Sequence, residues 1–435
     1  MRVVVVGGGI GGLALGSGLR RAGYEVAVFD RDTDVAATGG YHITLDARAL
    51  AALDRLVAPE LVRRLLASGS ALRLRDRDML WDYRGRTLGY GPDLSESASI
   101  DIDRITLRTL LAEAVGADLH LGRTVSAVGA DEHGMPRVVF ADGAPETADL
   151  VVGADGTHSI VARHLGAGPT SRPTGLIGFS GRTRRTELSI AEQRRLGTRS
   201  TMGIGPRGAA LYVGFLDPVG NAALGAPELS MSITTGPTYI WGAMFPESAR
   251  TDTLRALRGD ALRTALLEAF RARDWAAHTL EVIARADPAG VGAFRFNAAS
   301  TRAADLAPWP AGRITALGDA VHATPPTAGM GAGAAIQDAA DLLAALETGT
   351  TLAELDAGAT LIDAVARYET KLRERGGEVL TAAMKTVRLI RATDTTLGAA
   401  ATAALTPVLG MFTRLRPAPS YSAPATRRGN TRGGG

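Results

Sequence analysis

Apolar positions recur in two periods along the chain, and the places where the period changes mark out the elements. Residues 2–6 read Arg-Val-Val-Val-Val, an unbroken β-branched run of the kind found in a strand buried on both faces. Residues 13–22 then read as a helix closed by Gly23, and residues 25–29 as a second strand with Asp30 at its end. Residues 47–66 carry Ala49, Leu50, Leu53, Leu56, Leu61 and Leu65 at helical spacing. Residues 72–88 alternate charged and apolar positions, which predicts strands and turns around Arg84-Gly85-Arg86. Residues 100–114 begin extended and turn helical, residues 118–128 and 137–140 predict short strands, and Asp142-Gly143 a turn. Residues 150–153 form another buried strand.

From residue 176 to about 287 the pattern changes. Strand-like pieces at 176–180, 209–215, 229–234 and 239–245 are joined by Gly and Pro turns, and a helix is expected over 253–274. This predicts a mainly antiparallel sheet inserted into the preceding α/β unit. Residues 314–317 return to a buried strand, followed by a long Ala/Leu helix; 361–391 is helical, and 397–412 predicts a C-terminal helix pair. Beyond Arg416 the chain is rich in Pro, Ala, Ser, Gly and Arg, too polar to order itself.

Composition narrows the function classes. A length of 435 residues suggests about two to three domains. The net charge of +3, with arginines scattered along the chain and Lys371 and Lys385 the only lysines, gives no nucleic-acid signature. There are no cysteines, which excludes disulfides, thiolate metal sites, cysteine nucleophiles and the redox dithiol of disulfide reductases. No metal site is expected. The N-terminal stretch lacks signal-peptide features, and residues 397–412 fall short of the ~20 needed to span a membrane. These features predict a cytoplasmic protein, monomer or homodimer, with no stable membrane insertion.

Three stretches carry candidate chemistry. Gly7, Gly9 and Gly12 stand at the G-x-G-x-x-G spacing between the first strand and helix, with Asp30 about 20 residues on. The first glycine permits a tight turn, the second lets backbone approach a pyrophosphate, and the third lets the helix pack closely on the strand. The helix N-terminus offers N–H groups to the anion, and Asp30 can accept from ribose hydroxyls. A dinucleotide site follows. Gly153-Ala154-Asp155-Gly156 ends a second buried strand, where ligands of parallel sheets bind. Gly318-Asp319-Ala320 ends a third, and His322 through Gly333 forms a Pro-then-Gly loop opening a helix. A further G-x-G-x-x-G at Gly203, Gly205 and Gly208 contains Pro206 and precedes a strand, so it reads as coincidental.

Together, Gly7-x-Gly9-x-x-Gly12 with Asp30-Arg31, then Gly153-Ala154-Asp155-Gly156, then Gly318-Asp319-Ala320-x-His322-x-x-Pro325 resemble the three fingerprints of the FAD-dependent aromatic hydroxylases. These are the group A flavoprotein monooxygenases, of the para-hydroxybenzoate hydroxylase fold. The resemblance spans roughly residues 1–390 and implies FAD at the first site. It implies an α/β fold: a Rossmann-like FAD-binding domain of the GR2 type from residues 1–70, 100–172 and 288–370, with an inserted antiparallel-sheet substrate domain from 71–99 and 173–287. C-terminal helices (371–415) and a disordered tail (416–435) complete it. By matching positions, Arg104 resembles the flavin-contacting arginine, Asp319 the aspartate near the ribityl chain and pyrophosphate, and Pro326, Gly329, Met330 and Gly331 the loop under the isoalloxazine ring. Arg163 stands one residue later than the family's arginine after Asp-Gly.

The implied activity is an NAD(P)H-dependent monooxygenase acting, through a flavin C4a-hydroperoxide, on an aromatic or polyketide-like molecule with dioxygen, in secondary metabolism or drug modification. NAD(P)H is expected to bind transiently, because the chain carries no second nucleotide-binding fold. The competing readings are a flavin-dependent halogenase or isoprenoid reductase, and a flavoprotein that sequesters a drug-like ligand without turnover. The halogenase Trp-x-Trp-x-Ile-Pro signature is absent, since Trp81, Trp241, Trp275 and Trp309 stand apart. No catalytic side chain is assigned. His322 and His42 read as structural, and Met202, Tyr212, Phe215, Met231, Tyr239, Trp241 and Met244 as sheet core, one face of which turns toward substrate.

Overall fold

The computed structural model describes residues 1–37, 42–217, 236–348 and 359–414; the expected strand at 229–234, with Met231, and the tail from 416 lie outside these. The first unit is a five-stranded parallel sheet. Its order is Ile314–Ala316, Leu150–Gly153, Arg2–Val6, Glu25–Phe29 and Leu119–His120. The valine run is buried on both faces, as its lack of alternation predicted. Val3 and Val5 pack among helices Ile10–Arg21 and Gly331–Glu347, while Val4 and Val6 pack against a meander of Val125–Ala130, Pro136–Phe140 and Glu146–Thr147. Each fully buried valine contributes about 1.5–3 kcal/mol over exposure.

The second unit is a seven-stranded sheet, ordered Gly292–Ala298, Arg172–Arg184, Thr238–Pro246, Ala210–Leu216, Thr201–Ile204, Met79–Asp82 and Thr87–Tyr90. All neighbours are antiparallel except Thr201–Ile204 with Met79–Asp82. Its alternation is strict along Ala210–Leu216. Leu211, Val213 and Phe215 join a core under helices Ala249–Ala256 and Gly259–Arg271, while Ala210 and Tyr212 face the other way. The glycine match at Gly203 lies on one of these strands, with no helix after it.

A 34-residue helix, Ala359–Ala392, ties the two units together. Near its start the Tyr368 hydroxyl donates to Ala316 O at 2.8 Å, and Glu369 accepts from Thr315 Oγ1 at 2.8 Å and Trp309 Nε1 at 3.0 Å. Near its end Val387 and Ile390 pack with Leu176, Ala210, Met244 and Phe296 of the large sheet. A small sheet of His42–Leu45, Ile100–Asp103 and Ser70–Ala71 lies alongside.

Three helix boundaries differ from expectation. The helix expected at 47–66 is two, Ala47–Leu56 and Pro59–Ala67, because Pro59 lacks the N–H to continue the first and suits the first turn of the second. The helix expected at 253–274 breaks before Gly259, whose φ is +56°. The expected C-terminal pair is one helix, Thr396–Arg414. Among the described residues no helix is long and apolar enough to cross a membrane.

The tightest approach in the first unit lies between Gly12 and the turn at Gly7. A Cβ on Gly12 would lie 2.0 Å from Gly7 O, so the helix could not keep its distance from the strand. Gly12→Ala is expected to lower the free energy of unfolding by about 1–3 kcal/mol in denaturant titrations. Gly129→Ala, whose added methyl meets nothing within 4 Å, should leave it unchanged or slightly raised.

Candidate active site

The site begins where the first strand turns into the first helix. Gly7 sits at φ +110°, and its missing Cβ leaves room for the Ala154 carbonyl, 2.4 Å from where that atom would be. Gly8 N–H donates to Asp30 Oδ2 at 2.5 Å, and Asp32 N–H to Asp30 Oδ1 at 2.7 Å. A buried arginine closes this arrangement. Arg108 donates to Gly8 O at 2.9 Å and Val35 O at 3.1 Å, and lies 3.3 Å from Asp30 and 3.0 Å from Asp32. Asp30 therefore braces the glycine turn from behind. Sequence reading passed over Arg108, although it interrupts the otherwise apolar stripe Leu107, Leu110 and Leu111 on helix Arg104–Val115. A charge on a core-facing helical position was the available signal.

The turn opens onto a cavity of about 480 Å³ between the two units. Six of the residues expected to hold cofactor line it: Gly9, Arg104, Asp319, Pro326, Gly329 and Gly331. The others lie behind or beside it. Gly7 and Gly12 pack on one another, and Arg31 is exposed. Met330 is the N-terminal flanking residue of helix Gly331–Glu347. Asp155 caps helix Ile160–Gly166, its Oδ2 accepting from Ile160 N–H at 2.7 Å. Burial raises the Asp155 pKa, and its Oδ1 has no partner among the described residues.

On the nucleotide-fold wall, Asp319 accepts only a long bond from Thr324 N–H, at 3.3 Å, and burial raises its pKa. Arg104 presents a buried Nε with no partner among the described residues. Behind Asp319, His322 Nε2 lies 2.5 Å from Asp338 Oδ2, which also accepts from Gly318 N–H at 3.0 Å. Arg375 pairs with Asp338 and Asp341. Burial works against charge on both His322 and Asp338, but their contact prevails, raising the first pKa and lowering the second. His322 is fully buried and holds the Gly318-Asp319 turn rather than facing the cavity.

The opposite wall comes from the large and small sheets, and it carries polar groups that the sequence did not single out as a set. The Tyr212 hydroxyl lies 2.9 Å from His42 Nε2 and 3.1 Å from Ser200 Oγ. Arg75 donates to Asp101 Oδ2 at 2.5 Å and to Ser200 Oγ at 3.2 Å. Asp101 also accepts from Thr44 Oγ1 at 2.6 Å. The remainder of this wall is apolar, including Met202, Ile240, Phe294 and Phe296.

The donor set on the first wall suits an anion joined to a polar ring. Helix Ile10–Arg21 starts there with no side-chain cap, which leaves its first N–H groups open, and so does helix Gly331–Glu347. Each directs the positive end of its dipole at the space between. Arg104 adds a fixed charge with an unused donor, and Asp319 an under-used acceptor. A flavin dinucleotide, with its pyrophosphate and hydroxylated ribityl chain, matches both requirements.

Comparison with known proteins agrees with this fit. Residues 1–194 and 228–382 match the FAD binding domain family. Chloroplastic zeaxanthin epoxidase of Oryza sativa subsp. japonica is 28% identical over 358 residues, covering 80% of this chain and 49% of the epoxidase. The chain thus spans about half the length of that relative. Aurachin C monooxygenase/isomerase of Stigmatella aurantiaca is 28% identical over 388 residues, covering 87% of this chain and 86% of its own. The crystal structure of Klebsiella pneumoniae HpxO with FAD and uric acid shares the fold, with a TM-score of 0.72 at 22% identity over 95% of this chain and 94% of that one. A βαβ unit closed by three glycines, two uncapped helix ends on one cavity and a family match over most of the chain have one reading: this protein belongs to the FAD-binding group A flavoprotein monooxygenases.

Proposed function

We propose that this chain is an NAD(P)H- and FAD-dependent monooxygenase that places one atom of dioxygen on an aromatic or polyketide-like small molecule. The observation that carries this reading is the two-sided cavity, with nucleotide-binding groups on one wall and an apolar, aromatic sheet face on the other. FAD, when bound, supplies the reductive activation of dioxygen. The chain's own residues bind, orient and shield. The open N–H groups at Gly9 to Gly11 and the Arg104 guanidinium would hold the pyrophosphate, and Asp319 would accept from the ribityl hydroxyls. Met202, Ile240, Phe294 and Phe296 form a wall on which a planar substrate can stack while water is kept out. HpxO, solved with uric acid, shows that the fold accommodates a small heteroaromatic ligand.

For the nicotinamide donor, the structure offers a second cavity of about 310 Å³, lined by His158, Arg163, Arg255, Arg295 and Asn297. Asp252 and Glu247 partly neutralise Arg255 and Arg295, while Arg163 is exposed. Such a surface suits weak, transient docking of phosphate groups.

The recombinant protein should be yellow and release FAD on heating. NADPH oxidation should be slow alone, faster with the right phenolic ligand, and yield a product one oxygen atom heavier by mass spectrometry. Anaerobic stopped-flow reduction is the decisive measurement. A tightly bound ligand that neither speeds flavin reduction nor becomes oxygenated would favour the sequestering protein. Asp319→Ala should weaken FAD binding by about 1–3 kcal/mol in fluorescence titrations, the cost of leaving polar partners unpaired. Arg163→Ala should raise the KM for NADPH with little change in kcat, and added salt should raise the wild-type KM in the same direction.

A further inference from the structure

The polar cluster on the sheet wall has no part in holding a dinucleotide, yet it is built with care. His42 comes from the small sheet and Tyr212 from the large one, 170 residues apart, and both line the cavity. Their rings stack at 5.5 Å, with an interplanar angle of 21°. The space they occupy exists because residue 214 is glycine. A Cβ there would lie 2.4 Å from His42 Cε1 and 2.8 Å from the Tyr212 hydroxyl. Tyr212 and Gly214 share one face of strand Ala210–Leu216, so the missing side chain lets the pair lie across the sheet.

We infer that His42 and Tyr212 form a proton-accepting pair that ionises a substrate bearing an acidic hydroxyl, a phenol or an enol, in the cavity. The inference rests on the monooxygenase reading for its purpose, because an ionised phenol is a stronger nucleophile toward an electrophilic oxygen. The step needs no oxidant. The substrate O–H bond breaks and its electron pair stays on the substrate oxygen. The proton passes to the Tyr212 oxygen as the Tyr212 proton passes to His42 Nε2, 2.9 Å away. The imidazolium so formed faces Asp101 Oδ2 at 3.7 Å.

The surrounding charges favour that product. Asp101 and Asp103 approach from strand Ile100–Asp103, and Arg75 and Asp78 from the segment before Met79–Asp82. Arg182 pairs with Asp103 at 2.6 Å. Two guanidiniums thus face three carboxylates, and a proton on His42 completes the balance. Burial lowers the His42 pKa, against the pull of Asp101, so the free ring is neutral and ready to accept at neutral pH. Burial raises the Tyr212 pKa, so the tyrosine relays the proton and does not itself remain ionised. Acidification through the lowered His42 pKa protonates the ring in advance and switches the pair off.

The test uses the FAD-loaded protein without NADPH, so it does not depend on turnover. The probes are 4-nitrophenol and 4-nitro-1-naphthol, each compared with its methyl ether. At mildly acid pH, where the free phenols are mostly neutral, wild type should bind them as coloured anions. Their ionisation constants should rise about tenfold or more, and they should bind more tightly than the ethers. His42→Asn, Tyr212→Phe and Gly214→Ala should each abolish that rise while flavin absorbance and ether binding persist. The inference is overturned if wild type binds the phenols neutral or no better than the ethers, or if the variants still ionise them. The two readings can fail separately. Ionised probe with no oxygenated product under NADPH and air removes the monooxygenase reading alone. Oxygenated product with an unchanged pH profile in His42→Asn and Tyr212→Phe removes the pair alone.

Discussion

The closest approach in the molecule, between the Gly7 carbonyl and the α-carbon of Gly12, is the constraint on which the site depends. It brings the N-terminus of helix Ile10–Arg21 against the carboxyl end of the parallel sheet, where three strands deliver their loops. Only backbone can stand that close, so a glycine at each position is a steric requirement. The turn has little hydrogen bonding of its own, and Asp30 and Arg108 supply it from outside. Breaking a buried pair of this kind typically costs about 3–5 kcal/mol, although the intact pair adds little net stability. Its contribution is positional.

A second constraint is the long helix Ala359–Ala392. It is hydrogen-bonded to the parallel sheet near one end and packed on the large sheet near the other. Thr327 of the Pro-Gly loop also donates to Ala383 O on this helix, at 2.8 Å. The cavity is therefore a gap between two units whose spacing is set by one rigid rod. This division separates the chemistry. The parallel unit offers open N–H groups, a guanidinium and a carboxylate, as a charged dinucleotide requires. The antiparallel unit offers a flat apolar face interrupted by one polar cluster.

The buried charges divide in the same way. His322, Asp338, Asp341 and Arg375 form a closed network behind the Gly318-Asp319 turn, and none of them is needed at the cavity surface. The cluster of Arg75, Asp78, Asp101, His42 and Tyr212 reaches the cavity wall and has one neutral base at its edge. The first arrangement suits rigidity and the second suits proton transfer.

What the sequence by itself determined was local. The uninterrupted valines, the glycine spacing, the second strand with Asp30 and the strand-ending motifs at Gly153 and Gly318 all express geometry within a few residues, where periodicity and sterics decide the outcome. The alternation in Ala210–Leu216 was equally legible as two faces, but it could not say what lay opposite. Tyr212 therefore read as core until the fold set His42 beside it. Arg108 was hidden for the same reason, since its partners Gly8 and Asp32 lie 100 and 76 residues away. The helix expected at 47–66 failed on a local rule, because its apolar spacing outweighed the break at Pro59. Only tertiary structure decided which charges meet and which face the cavity, because such pairings depend on how whole units pack and no short-range period encodes them.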